Sequence, residues 1–137
     1  MEKEPIGKWI SLISRQNQKN LVKELKPFQI GGGGQHSFLK AIFAQPGINQ
    51  DQLTQDLKFD KATTARAVKH LEEAGYIKRL IDEKDRRSYR LYPTQKGLEF
   101  RPILQAILDR ANEHLIRGLT EEEKNQLIFL LKKMKTE

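Results

Sequence analysis

The residues of this sequence that are best suited to do chemistry are cationic side chains, and most of its surplus positive charge lies in the middle third. Residues 58–101 carry 12 basic and 7 acidic side chains, a net charge of +5, whereas the whole chain of 137 residues has a net charge of +7. A basic surplus favours anionic partners, of which nucleic acid is the simplest. The alternative is a solvated basic surface without a specific partner.

A helix from Lys61 to Ala74 is predicted to present a small, cationic outer face. That face is formed by Lys61, Ala62, Ala65, Arg66 and Lys69, with Thr63 and His70 on its flanks. Small side chains allow a helix backbone to lie close to DNA in the major groove, where Arg66 can make a bidentate contact to guanine. An ordinary amphipathic helix with a solvated polar face explains the pattern equally well. Its inner face is predicted to contain Thr64, Ala67, Val68, Leu71 and Ala74.

A hairpin is predicted directly after this helix. The segments 77–81 and 88–92 are rich in β-branched, aromatic and aliphatic residues, and the polar segment 82–87 separates them. The candidate DNA contacts here are Arg79, Lys84, Asp85, Arg86, Arg87 and Arg90. A narrow minor groove attracts an inserted arginine, and Arg87 is the best placed, near the loop tip. The carboxylate of Asp85 fits such a surface if it pairs with Arg87 and fixes its guanidinium. The alternative for Asp85 is a role in forming the turn.

The elements that position these side chains form a helix-turn-helix. Asn49 is a good N-cap, and Gln52 three residues later predicts a capping box for a helix ending near Leu57. Asp60 is the N-cap of the next helix, and Gly75 ends it. A short helix, a sharp turn and a longer helix, followed by a hairpin, predict a winged helix-turn-helix.

The flanking segments are predicted to be helices with apolar stripes. The first runs from Ile6 to about Lys26, and after Gly31–Gly34, which reads as a flexible connection, another spans 35–44. A helix from Thr94 to Gly118 is expected to kink or break at Pro102, and Thr120 with Glu123 forms a capping box for the last helix. A single protomer cannot cover all these stripes, so a partner copy is expected.

The spacing of several residues carries a family resemblance. These are Asp60 to Arg66, Leu71 to Arg79, Asp82, Asp85 to Arg87, and Thr94 to Gly97. From Gln50 to Gly97 the chain resembles the MarR (multiple antibiotic resistance regulator) family of winged helix-turn-helix proteins, and the flanking helices follow the family order. The resemblance implies a homodimer held by its terminal helices, palindromic DNA sites and, often, a small-molecule ligand. It also implies that Asp85 orients Arg87 and that Arg87 enters the minor groove.

Two positions depart from the family pattern. Pro93 stands where the family usually has a leucine, which is expected to alter only the exit of the strand. The glycines at 31–34 precede the second helix, where the family more often has mixed residues. They could loosen the connection between the dimerisation helices and the DNA-binding region. The resulting fold class is mainly α with a small antiparallel β-wing. Its expected parts are one domain over 1–137, dimerisation helices at 1–30 and 98–137, and a DNA-binding region at 35–97.

The sequence argues against enzymatic chemistry. Cysteine is absent, so thiol catalysis and cysteine-ligated zinc are excluded. The glycine run lacks the lysine–serine/threonine pair of a phosphate loop, and the three histidines are too widely spaced for a metal site. An effector pocket could be lined by Trp9, Ile13, His36 and Phe38, although core packing explains the aromatic residues better.

We therefore expect a cytoplasmic homodimer that binds a palindromic operator in double-stranded DNA and acts as a repressor. A small-molecule effector would act by changing the separation or angle of the two reading helices, which are the 61–74 helices of the two copies. No cofactor, metal or membrane is expected to take part. The alternative is a winged-helix module that binds RNA or protein. RNA binding favours exposed aromatic residues for stacking, which the reading helix lacks.

Overall fold

A computed structural model describes residues 3–134, and it is helical apart from one small sheet. Within that range the helices are α1 (Ile6–Leu25), α2 (Gln35–Ala44), α3 (Gln50–Leu57), α4 (Lys61–Glu73), α5 (Gln95–Leu115) and α6 (Glu121–Lys133). The strands are β1 (Ile48–Asn49), β2 (Ile77–Ile81) and β3 (Tyr89–Pro93), and a 3₁₀ turn at Lys26–Phe28 follows α1. The predicted fold class, a winged helix-turn-helix that is mainly α with a β-wing, is confirmed.

The helix starts follow the capping chemistry of the sequence. The side chain of Asn49 accepts a hydrogen bond from the Gln52 N–H at 2.8 Å, and that of Asp60 accepts one from the Thr63 N–H at 2.7 Å. The capping box of Thr120 and Glu123 is formed. The predicted box at Asn49 is only half formed, because the Gln52 side chain does not accept the Asn49 N–H, and its amide donates forward to Asp56 at 2.8 Å.

The two helices of the helix-turn-helix meet through hydroxyl groups as well as apolar side chains. Lys58 takes the left-handed backbone conformation, with φ 61°, and so ends α3 sharply. The Thr54 hydroxyl contacts the hydroxyl of buried Thr64 at 2.9 Å, and Leu53 and Leu71 are fully buried beside them. This packing fixes the roll of α4 about its axis and hence the face that it turns outward.

The wing contains one strand more than the sequence analysis predicts. The strand order is β1-β3-β2, with Ile48 opposite Leu91 and Ile77 opposite Pro93, and both pairs are antiparallel. Strand β1 has only two residues, too few for an alternating pattern to be visible. It joins the wing to the start of α3.

Of the two outcomes expected at Pro102, a kink or a break, the break does not occur. Helix α5 runs continuously over Gln95–Leu115 and ends three residues before Gly118. A proline here removes the hydrogen bond to the carbonyl of Leu98, but both residues are exposed, so water can satisfy that carbonyl.

Helix α6 contains no buried residue, and within the described chain its apolar stripe has no covering element. The main core lies elsewhere, where α2, β3 and the C-terminal half of α1 pack against α5, and α4 packs against α2.

Candidate nucleic-acid interface

The predicted inner and outer faces of α4 are the ones that the structure shows. Thr64, Ala67, Val68 and Leu71 are buried, and Ala74 is half-buried. The outward set of Lys61, Ala62, Ala65, Arg66 and Lys69 is exposed, and Thr63 is half-buried at its edge. The Arg66 guanidinium lies 3.3 Å from the Thr63 hydroxyl, close enough for a hydrogen bond that aligns the side chain along the helix. The exposed set is the one that a major groove could accept.

The start of α4 is held by Asp60. The N–H and hydroxyl of Thr63 both hydrogen-bond to this carboxylate and lower the pKa of Asp60. Asp60 therefore remains ionised at neutral pH and keeps the first turn of the helix in place. Because Arg66 is only two turns away, its orientation depends on that first turn.

His70 does not belong to the free outer face. Its ring is half-buried, and its Nε2 atom lies 2.8 Å from the backbone carbonyl of Gln29, between α1 and α2. A carbonyl can only accept, so Nε2 must carry the hydrogen. His70, which was predicted to contact DNA from the flank of this face, thus also makes an internal contact.

The tip of the wing exposes Arg87 beside Asp85. The Arg87 side chain is 96% exposed, and its Nε atom lies 3.7 Å from an Asp85 carboxylate oxygen. The same oxygen accepts the backbone N–H of Arg87 at 3.1 Å. Asp85 therefore serves both the turn and the ion pair, which the sequence analysis treated as alternatives. Lys84 and Arg86 are exposed, and within residues 3–134 they make no ion pair.

Arg79 and Arg90 are committed to internal contacts. Arg79 forms a salt bridge of 2.9 Å with Glu72, lies over the Tyr89 ring at 5.1 Å, and has its pKa raised by the hydrogen bond to Glu72. Arg90 lies 3.4 Å from the Asp82 carboxylate and donates to the Gly47 carbonyl at 3.1 Å. These two arginines anchor the wing to its neighbours, so the cations at the tip are the better candidates for DNA contacts.

The four candidate effector residues have different environments. Phe38 is fully buried and packs on Phe59 with ring centres 4.9 Å apart. Trp9 is 52% exposed and Ile13 54% exposed on the N-terminal half of α1. His36 is half-buried, and burial, followed by the charge of Lys40, lowers its pKa.

Two clefts formed by the described residues can be compared with those four side chains, and neither is lined by any of them. One, of about 430 Å³, lies between α1 and α5 and is lined by Glu24, Phe28, Pro102, Ile103, Ala106, Ile107 and Arg110. The other, of about 530 Å³, is polar and lies between the start of α3 and the tip of the wing. The described residues hold no group of three or more side chains arranged to bind a metal ion.

Two functional contacts are invisible to sequence patterns. Glu72 holds Arg79 across the turn after α4, and the Tyr76 hydroxyl reaches the Phe28 carbonyl at 2.5 Å. The second contact joins residues 48 positions apart, a separation at which no local periodicity gives a signal. Between residues 3 and 134 there is no helix both long and apolar enough to cross a membrane.

The fold and this surface define a winged helix-turn-helix DNA-binding protein. The MarR family pattern matches residues 34–89. YybA of Bacillus subtilis (strain 168), an HTH-type transcriptional regulator, is 37% identical over 102 residues, which are 74% of this chain and 68% of that protein. The chain belongs to the MarR family of transcriptional regulators.

Solved structures agree over nearly the whole length of the chain. A MarR transcriptional regulator from Methanosarcina mazei Go1 is 40% identical with a TM-score of 0.89, and the match covers 96% of this chain and 94% of that one. A mutant MarR from E. coli, complexed with operator DNA, is 25% identical with a TM-score of 0.84, covering 94% and 92% of the two chains. These relatives are regulators rather than enzymes.

Proposed function

We propose that this protein is a homodimeric repressor that binds a palindromic operator in double-stranded DNA. The observation that carries the proposal is the pairing of two exposed cationic features. One is the outer face of α4 with Arg66, and the other is the wing tip with Arg87 held by Asp85. In the proposed complex Arg66 reads guanine in the major groove and Arg87 enters the minor groove.

Dimerisation is supported by the uncovered stripe of α6. An isolated helix of 13 residues is marginal in water, yet α6 buries none of its residues within the described chain. Its exposed apolar side chains are Leu127, Ile128, Phe129, Leu130, Leu131 and Met134. α1 and the end of α5 also carry exposed apolar residues, which a second copy would cover.

A two-fold dimer would present two reading helices to one side of the duplex. They would lie about 34 Å apart, one helical turn of B-form DNA, so that each contacts half of a palindrome. The structure of a mutant E. coli MarR complexed with operator DNA supports the operator-binding part of the proposal.

Repression relieved by an effector is the regulatory part of the proposal. A small molecule that binds one arrangement of the two reading helices better than the other would shift the population away from the DNA-bound form. Trp9, Ile13, His36 and Phe38 remain the predicted contacts for such a molecule.

The test is a titration of purified protein with duplexes at several salt concentrations. The duplexes would first be selected from random genomic fragments by the protein itself. We expect log K to fall with log salt by about 0.9 for each phosphate neutralised, and selected duplexes to bind more tightly than random ones. Affinity independent of salt, or a preference for single-stranded RNA, would support the winged-helix RNA or protein module instead.

A further inference from the structure

Two side chains of the DNA-binding region hold the backbone where the first helix ends. The Tyr76 hydroxyl, just after α4, donates to the Phe28 carbonyl at 2.5 Å. The His70 Nε2–H, on α4 itself, donates to the Gln29 carbonyl at 2.8 Å. The two carbonyls are consecutive, so the two bonds attach α4 and its following turn to a single point of the chain.

This point is where the 3₁₀ turn that follows α1 ends. Gln29 takes the left-handed conformation with φ 63°, and the N–H of Ile30 returns to the Leu25 carbonyl at 3.3 Å. A terminating helix leaves its last carbonyls without partners inside the helix. Here Tyr76 and His70 supply donors to the last residue of the 3₁₀ turn and to its cap, so the segment that leaves α1 is completed by the DNA-binding region.

The Tyr76 ring is itself clamped. It is 2% exposed and lies 4.9 Å from the Phe100 ring, which in turn lies 5.0 Å from Phe28. The Lys96 ammonium lies 4.7 Å above the Tyr76 ring and also donates to the Ala74 carbonyl at 2.6 Å. Burial raises the pKa of Tyr76, so its hydroxyl remains a donor at neutral pH. A donor on so immobile a ring holds its acceptor in a narrow range of positions.

We propose that His70 and Tyr76 are positioning residues that set the half-site spacing the protein accepts. They form a two-point latch, defined here as the His70–Gln29 and Tyr76–Phe28 hydrogen bonds, that fixes the angle between α1 and α4. The inference rests on the proposed homodimer. The angle between α1 and α4 sets a distance between the two α4 helices only when two protomers are joined through their terminal helices. A single bond would allow α4 to pivot, whereas two bonds to consecutive carbonyls oppose rotation.

The absence of cysteine from the sequence makes a direct test simple. An Ala65→Cys variant carries one spin label on the outer face of each α4, and the dimer then reports one distance between reading helices. We expect a narrow distance distribution for that parent protein and a broader one after Tyr76→Phe or His70→Ala is added. His70→Gln, unlike His70→Ala, keeps a donor near the Nε2 position, so the protein that carries it should keep the narrow distance distribution.

Half-site spacing gives the second readout. Duplexes selected by the wild-type protein are lengthened or shortened by one base pair between the half-sites. We expect Tyr76→Phe to reduce the preference for the original spacing by about fivefold, the equivalent of one neutral hydrogen bond. Tyr92→Phe is the matched control, because the Tyr92 hydroxyl makes no hydrogen bond within residues 3–134 and its loss should alter neither readout.

The outcomes separate this inference from the proposed function. Folded Tyr76→Phe and His70→Ala proteins with unchanged distance distributions and spacing preference would overturn the latch, even if their melting temperatures fall. A parent protein with no pair distance would instead contradict the homodimer. The latch is then measured within one protomer by adding Ser14→Cys, on the exposed surface of α1, to the Ala65→Cys protein. The two labels report the distance between α1 and α4. A distribution of that distance that is equally narrow with and without Tyr76→Phe would overturn the latch.

Discussion

The carbonyl oxygen of Tyr76 occupies the space that a side chain at Gly97 would need. A Cβ built on Gly97 collides with that oxygen. The same carbonyl accepts the Thr94 N–H at 3.0 Å, and the Thr94 hydroxyl donates to the Gly75 carbonyl at 2.5 Å. The first turn of α5 therefore lies directly on the turn that ends α4. Position 97 admits only glycine because the obstacle is backbone.

Gly97→Ala is expected to lower the free energy of unfolding by about 1–3 kcal/mol, the range typical of overpacking. Chemical denaturation of the two proteins measures this difference. Gly7→Ala is the matched control, because Gly7 is also helical and nothing lies within 4 Å of a Cβ added there. That variant should be as stable as the wild type or slightly more stable. Equal effects of the two substitutions would contradict the close approach.

Arg66→Ala is expected to weaken binding to the selected operator by about 1–3 kcal/mol and to relax base preference at one position. The reason is the loss of a bidentate contact from an exposed guanidinium on α4. Arg117→Ala removes the same charge from an exposed site beyond α5 and should have a much smaller effect. If Arg66→Ala weakens random duplex equally, Arg66 contacts only phosphate.

Asp85→Ala is expected to weaken DNA binding although it removes a negative charge. Without the carboxylate 3.7 Å away, the Arg87 guanidinium loses its orientation, and its backbone N–H loses an acceptor. Asp85→Asn keeps an acceptor for the turn and so isolates the ion pair. Glu83→Ala, an exposed carboxylate in the same loop, should leave affinity unchanged or raise it. Tighter binding by Asp85→Ala in a duplex titration would refute the orienting role.

Phe129→Asp is expected to shift the protein from dimer to monomer in sedimentation experiments. Phe129 is 62% exposed on α6 within the described chain, and a buried aspartate without a partner would destabilise a dimer interface there. Gln55→Glu introduces the same charge on exposed α3, away from the terminal helices, and should leave the dimer intact. A dimer unaffected by Phe129→Asp would place the interface elsewhere.

Acidification is expected to destabilise the fold through His36. Burial, with the charge of Lys40, lowers the folded pKa of His36 from its ordinary value of 6.5. Below that value the unfolded chain binds more protons than the folded one, so the free energy of unfolding falls as pH falls through it. The slope for one proton is at most about 1.4 kcal/mol per pH unit.

His36→Gln should flatten that dependence in urea denaturation between about pH 7 and pH 5. His114→Gln, which alters an exposed histidine near the end of α5, should not. Identical slopes for the wild type and His36→Gln would show that His36 does not cause the acid sensitivity.

The elements that local physics governs could be read from the sequence. The inner face of α4, the caps at Asp60 and Thr120, and the hairpin after Gly75 depend on neighbours within a few residues, and the structure shows them as predicted. The break expected at Pro102 as the alternative to a kink does not occur, because the exposure of its surroundings, a tertiary property, permits the helix to continue. Strand β1 was missed because two residues carry no periodicity.

Cationic residues on the same segments acquired different roles only through folding. Composition and spacing determined that a basic helix and a basic hairpin lie together in the chain. The partners of individual cations were decided by residues far away or across a turn, as with His70 on Gln29, Arg79 on Glu72 and Arg90 on Gly47. The physical reason is the range of the interactions. Helix faces and caps arise from contacts within about one turn of helix. Whether a cation finds an internal partner or stays in solvent depends on which distant groups the packed core brings within hydrogen-bonding distance.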